Sequence, residues 1–179
     1  ESENNNQSSS VVFTGAGSVT VDIVETEAIA EIRAGSTVNT SGDVSLTADD
    51  NSDINADSGG LAITIATGDG TTAGAVGASV VVNDITQTIS AKATDTEIIS
   101  SDDFTATATN NAKNTALTIA GSVTVATEGD AFGGAGAGSG NYLSTNTVAE
   151  ISGGSVTLDG DLTLSAVNSA EVKADAGEG

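Results

Sequence analysis

The feature that most constrains this chain is a short alternation, Gly42-Asp43-Val44-Ser45-Leu46-Thr47-Ala48, that returns twice. About sixty residues on it reads Asp102-Asp103-Phe104-Thr105-Ala106-Thr107-Ala108, and about sixty further Gly160-Asp161-Leu162-Thr163-Leu164-Ser165-Ala166, a period that marks a stacked array. Val44, Leu46 and Ala48 alternate with Ser45 and Thr47, so a strand here carries aliphatics on one face and hydroxyls on the other. The Gly-Asp or Asp-Asp pair before it supplies a turn. A slip of one residue would bury hydroxyls and expose aliphatics, so register is strongly specified.

Aligning the copies brings further columns into line. Ser18-Val19-Thr20-Val21-Asp22 matches Ser79-Val80-Val81-Val82-Asn83, with a decayed third copy ending Gly138-Ser139-Gly140-Asn141. Asp and Asn tolerate left-handed backbone and bond their own backbone two residues on, which suits a corner at these positions. Ala30-Glu31-Ile32, Ala91-Lys92-Ala93 and Ala149-Glu150-Ile151 form a second column, and Val38, Ile98 and Val156 a third. Residues 53–57 and 61–67 also alternate, as do 117–120 and 123–125, while the glycine-rich tracts 68–77 and 133–140 read as closing corners. Residues 25–33, rich in Ala and Glu, have helix propensity, yet Ala28, Ala30 and Ile32 alternate with Glu27, Glu31 and Arg33, so strand is expected.

Six short strands per unit predict an all-β chain: a parallel β-helix (β-solenoid) of about 20 residues per coil, three coils to each sequence repeat of about 60 residues. Residues 1–10 read as a polar lead-in or linker, and 11–179 as a single solenoid domain with units at approximately 15–75, 76–135 and 136–176. Coils stacked at roughly 4.8 Å would give a rod on the order of 40 Å long, with equivalent columns about 14 Å apart, so Glu31, Lys92 and Glu150 would not touch. An antiparallel sandwich also accommodates the turn spacing, but it does not explain the repeat.

Composition agrees with a thin core. Aromatics make up 2% of the chain, there is no Trp, Met, Cys, His or Pro, and Gly numbers 22, so small aliphatics must fill whatever is buried. A formal net charge of −21, with only Arg33, Lys92, Lys113 and Lys173 as cations, repels phosphate backbones and anionic headgroups, which argues against a nucleic-acid partner. The absence of cysteine argues against a disulfide scaffold and fits an exported chain that must stay unlinked. No apolar run reaches the roughly twenty residues of a membrane span. Position 1 is not Met and no signal-type segment follows, so a processed chain or a piece of a longer one is expected.

Candidate sites are few. Asp49, Asn51 and Asp53 place oxygen ligands at alternate positions, half of a calcium loop, but Ile54 stands where such a loop wants Gly and Gly60 where it wants Glu. Calcium is thus the one cofactor the residues admit, and a solvated acidic turn is the plainer reading. The tract 133–138 begins like a calcium-binding Gly-Gly-x-Gly-x-Asp repeat but has Gly138 in the Asp place, and no amphipathic helix follows to make it a nucleotide loop. Asp102 with Asp103, or Glu25 with Glu27, could act as acid and base on a glycan, yet Tyr142 is the only exposed-type aromatic and the cations are scattered. Without His or Cys, the common triads and dyads are excluded, and no enzyme is expected. Thr105 with Thr107, echoed by Ser45 with Thr47 and Thr163 with Ser165, would suggest crystal binding if repeated on every coil. One echo per unit, in three-coil units, argues for a solvated face. Asn39-Thr40-Ser41 fits a glycan acceptor pattern that is too common to use.

The order Gly-x-Val-x-Val-Asn, Ala-x-Ile, then Thr-Val-x-x-Ser-Gly-Asp-Val-x-Leu-x-Ala resembles the repeats of giant bacterial surface and secreted adhesins of the filamentous-haemagglutinin and leukotoxin-like kind, over roughly residues 11–176. Two departures are residues 138–140, where glycines replace the valines, and Asp102-Asp103 in place of Gly-Asp. The resemblance implies a right-handed β-helical stalk or binding surface, extracellular or at the cell surface, whose partner is a host or neighbouring cell or its glycans; it supplies no catalytic residue. With no capping helix at either end, copies could also stack end to end as filament subunits. A β-helical glycan-active enzyme is the third reading.

Overall fold

A computed structural model describes residues 10–100 and 102–178; the expected lead-in falls almost wholly on residues 1–9, outside the described ones. The described residues are all-β and every strand pairing is parallel. The first unit supplies β1 (Val11–Ile32), β2 (Thr37–Thr40), β3 (Val44–Asp50) and β4 (Asp53–Ala66). The second supplies β5 (Thr71–Thr94), β6 (Glu97–Ser100), β7 (Phe104–Asn110) and β8 (Lys113–Ala126), and the third β9 (Gly129–Ser152), β10 (Ser155–Leu158), β11 (Leu162–Asn168) and β12 (Glu171–Glu178). They form four three-stranded sheets, β1-β5-β9, β2-β6-β10, β3-β7-β11 and β4-β8-β12, with the middle unit central in each.

The three sequence columns are register partners: Ala30 with Ala91 and Ala149, Val38 with Ile98 and Val156, Val44 with Phe104 and Leu162. Side chains that meet across neighbouring strands stand 61, 60 or 58 residues apart, as in Ser18 to Ser79, Asn51 to Asn111 and Asn83 to Asn141. One repeat therefore gives one strand to each sheet, and the expected division into three coils of about 20 residues is not found. The reason lies in the tracts read as breaks. Residues 133–140 run through the middle of β9, and the two alternating segments of 53–57 and 61–67 join as β4 up to Ala66. Glycine in these positions allows close approach without ending the strand. Glu31, Lys92 and Glu150 are consequently neighbours, with Lys92 Nζ 3.9 Å from Glu150 Oε2, where the shorter coil predicted separation.

The corners also differ from expectation. Asp22, Asn83 and Asn141 lie within the long strands and face inward, while the corners fall elsewhere. At β3 to β4, and at the equivalent β7 to β8 and β11 to β12, the Oδ1 of Asp50, Asn110 and Asn168 accepts the N–H two residues on, at 2.9, 3.0 and 3.2 Å. These are Asx turns repeated once per unit. The corner after the long strands needs a left-handed residue, met by Gly35 (φ 79°), Asp95 (φ 46°) and Gly153 (φ 67°).

The interior divides along the long strands. At one end three sheets enclose the core of Phe104, Ile98, Ile89, Ala106 and Ala91, with Val38, Leu46, Ile151 and Val156 packed on its flanks. Beyond it lies a polar belt in which Gln87 Nε2 donates to Asp50 Oδ2 at 3.1 Å and Asn110 Nδ2 donates to Gln87 Oε1 at 3.1 Å. Further on only two sheets remain, the first halves of β1, β5 and β9 against β4 and β8, and they come very close. A Cβ at Gly60 would stand 2.6 Å from the Ala78 carbonyl oxygen, and one at Gly77 would run into the Gly121 carbonyl. Only Ala62, Ala66, Ala73, Ala75 and short hydroxyls fit between, with Thr64 Oγ1 donating across to the Gly74 carbonyl at 2.7 Å.

That narrow gap inverts the expected pattern. Val19, Val21, Ile23, Val80 and Val82 face outward from one wall of this blade, and Leu61, Ile63, Ile65, Ile119, Val123 and Val125 from the other. The inner aliphatic files expected from the sequence hold at the three-sheet end and, beyond the belt, only at Ile85 and in a small cluster of Ala56, Val81 and Ala116.

Candidate functional site

Among the described residues, one group of three carboxylates converges: Asp43, Asp102 and Asp103, whose oxygens lie within 4.8 Å of one another at the exposed corner before β3 and β7. Register brings them together, because Asp43 and Asp103 each precede the anchor strand of their own unit. The carboxylates already serve the backbone. Asp43 Oδ1 accepts the Asp103 N–H at 3.2 Å, and Asp103 Oδ1 accepts the Asp161 N–H at 2.7 Å, so each Asp ties down the next turn. The remaining oxygens face water and form a patch of the kind a hard cation is drawn to. Asp102 with Asp103, weighed from sequence as an acid–base pair, falls within this patch.

The calcium candidates are placed differently. Asp49 and Asp53 point outward from the end of β3 and the start of β4, with exposed Asn51 between. Asn51 Oδ1 accepts from Asn111 Nδ2 at 3.2 Å, and Asp53 Oδ1 accepts from Asn55 Nδ2 at 2.9 Å. The buried acid of the segment is Asp50, which the alternate-position pattern skipped. Its inward position follows from the strand period that makes Ala48 buried and Asp49 exposed.

Glu25 and Glu27 stand on the exposed outer face of β1, level with Thr86 and Thr88. The hydroxyl pairs of the three units do line up: Ser45 with Thr105 and Thr163, Thr47 with Thr107 and Ser165, as register neighbours. This removes the premise on which they were set aside, although two columns on three strands cover only about 7 by 10 Å. Tyr142 is exposed on β9 beside Asp84, apart from any carboxylate cluster. A recess of about 390 Å³ beside β8 and β12 is lined by Lys113, Asn114, Glu171, Val172 and Lys173, and there Lys173 Nζ binds Asp175 at 2.8 Å, which raises the Lys173 pKa. At the tip of the blade, a hydrogen bond with Asp69 holds the Glu128 carboxyl above its ordinary range, with a smaller push from partial loss of water.

One surface feature was missed by sequence reasoning. On the outer face of β4 and β8 lies an apolar recess of about 460 Å³ whose floor is Gly59, Gly60 and Gly121 and whose walls are Leu61, Ile119 and Val123. A signal existed in the spacing of Ala62, Thr64 and Ala66, residues too small to be the filling of a wide core. No helix among the described residues is long and apolar enough to cross a membrane. No family model, curated protein or solved structure matches the chain.

Proposed function

We propose that the chain is a β-solenoid segment, a right-handed parallel β-helix of about sixty residues per turn, belonging to a long extracellular bacterial surface protein of the filamentous-haemagglutinin and leukotoxin-like kind. The observation that carries this reading is the in-register stacking of three units whose equivalent residues pair directly. Stacking of this kind adds turns along one axis, and a right-handed return is the rule for parallel crossovers. A turn of about sixty residues rises only roughly 4.8 Å, so the segment builds wall and surface far more than reach, which favours a binding surface over a stalk.

Its partner in this reading is a cell surface or its glycans, met through the broad outer faces. A fluorescent preparation of the chain, applied to a panel of bacterial and animal cells and to a glycan array, is expected to bind saturably to at least one target, with the heat-unfolded chain as control. Absence of binding throughout would sink the adhesive reading. Among the described residues nothing pairs with the outer edges of β1 and β9, each more than twenty residues long, which keeps a filament reading alive. Electron microscopy of the purified chain would favour it on seeing ordered polymers.

A further inference from the structure

The blade leaves a set of large aliphatics that nothing among the described residues covers. Leu61, Ile63, Ile65 and Ile119 are 59, 52, 66 and 55% exposed, and no charged side chain lies on this outer face between Asp57 and the tip on β4 or between Leu117 and Val125 on β8. With Leu117, Val123 and Val125 the face offers on the order of 600 Å² of apolar surface, at the upper end of what a lone soluble domain shows. Strand register then gives it a pattern. Gly59 is level with Ile119, and Leu61 is level with Gly121, so at these two levels a knob on one strand stands beside a hole on the other, while Ile63 with Val123 and Ile65 with Val125 are level pairs of aliphatics.

We propose that this β4–β8 face pairs with the same face of a second copy of the chain. A two-fold axis lying along the strands, between β4 and β8, sets β4 of one copy over β8 of the other. Ile119 then enters the space above Gly59 of the second copy and Leu61 the space above its Gly121, and the symmetry repeats both contacts. This is a sheet-on-sheet packing of aligned strands. The recess floored by Gly59 and Gly121 is the socket. Two such faces would bury about 1,200 Å² in total, the lower bound for a stable interface, so a dissociation constant on the order of micromolar is expected. A chain of net charge −21 repels its copy, and the carboxylates nearest this face, Asp57 and Asp175, flank Leu117 at its rim, so pairing through the apolar rows beyond them strengthens as salt shortens the screening length. The pairing is side to side, independent of the adhesive reading and of end-to-end stacking.

Sedimentation velocity of the whole chain from low micromolar to about 100 μM tests it, with Gly59→Val as the deciding variant. A Cβ at Gly59 meets only the Ile119 carbonyl oxygen at 3.8 Å, so the variant keeps the fold while filling the socket. The parent is expected to dimerise, more tightly at high salt, and Gly59→Val to stay monomeric despite its added apolar surface. Ile119→Lys, at an exposed position, is the second variant and is also expected to be monomeric, with far-UV circular dichroism unchanged in both. A parent that stays monomeric throughout overturns the proposal, as does a Gly59→Val chain that associates as well as the parent. Polymers that pass the dimer and ignore both substitutions would mean association through strand edges and overturn it too. A monomeric parent that floats with neutral phosphatidylcholine vesicles would assign the face to lipid instead.

Discussion

The column Val44, Phe104 and Leu162 puts one sequence position into three environments, and alanine substitutions along it should reveal the stacking. Phe104 is fully buried at the centre of the core, Val44 is half-buried on one flank, and Leu162 is 52% exposed on the other. A buried phenylalanine removes roughly 200 Å² from water, which at about 25 cal/mol/Å² is near 5 kcal/mol before relaxation. Phe104→Ala is therefore expected to cost about 3–5 kcal/mol. Val44→Ala loses two methyl groups in partial contact and should cost about 1 kcal/mol; Leu162→Ala, with half its surface already in water, should cost about 1 kcal/mol or less. Urea unfolding followed by circular dichroism measures all three, with equal slopes as evidence of one cooperative transition. Equal costs at Phe104 and Leu162, or a Phe104→Ala cost below about 1 kcal/mol, would refute the placement of the middle unit at the core.

The inverted blade makes a second contrast. Ala62→Leu, inside the gap, should destabilise by about 1–3 kcal/mol, while Leu61→Ala beside it should cost about 1 kcal/mol or less when measured below dimer-forming concentrations; the reverse order would mean the pattern is not inverted. Gln87→Leu strands the Asp50 carboxylate and the Asn110 amide of the polar belt, and a loss of about 2–4 kcal/mol in the same urea assay is expected, whereas a neutral outcome would deny the network. Because the folded chain holds the Glu128 proton more tightly than the unfolded chain, this contribution to stability is present below the ordinary glutamate range and fades as pH rises through the raised value. An NMR titration should place Glu128 above a free glutamate in Asp69-containing chain and return it to normal in Asp69→Asn; an ordinary titration in the parent would deny the contact.

The strand pattern was legible because the interior of the three-sheet end obeys a period of two with large residues inside, as at Val38, Leu46 and Phe104. Turn size was not. Glycines at 133–140 look like punctuation, and nothing in local pattern distinguishes a break from a strand that glycine thins for a close neighbour. The same ambiguity hid the blade: Leu61-Ala62-Ile63-Thr64-Ile65 alternates perfectly, but alternation alone does not say which face is inside. The close approach of Gly60 to the Ala78 backbone and of Gly77 to the Gly121 carbonyl decides it, and these residues become neighbours only in the fold. The acidic corner was half visible, since Asp102 and Asp103 adjoin in sequence while Asp43 joins them through register.

The central claim, one turn per sixty residues, is open to a direct chemical measurement, because the chain has no cysteine of its own. In the double variant Thr47→Cys with Thr107→Cys, the two side chains stand on the same face of paired strands, at the Cα separation of about 5 Å that a disulfide needs. Oxidation of the monomer followed by mass spectrometry is expected to show this pair almost fully bridged, and Thr47→Cys with Thr67→Cys, which a coil of about 20 residues would stack, not bridged. Bridging of the second pair and not the first would contradict the account.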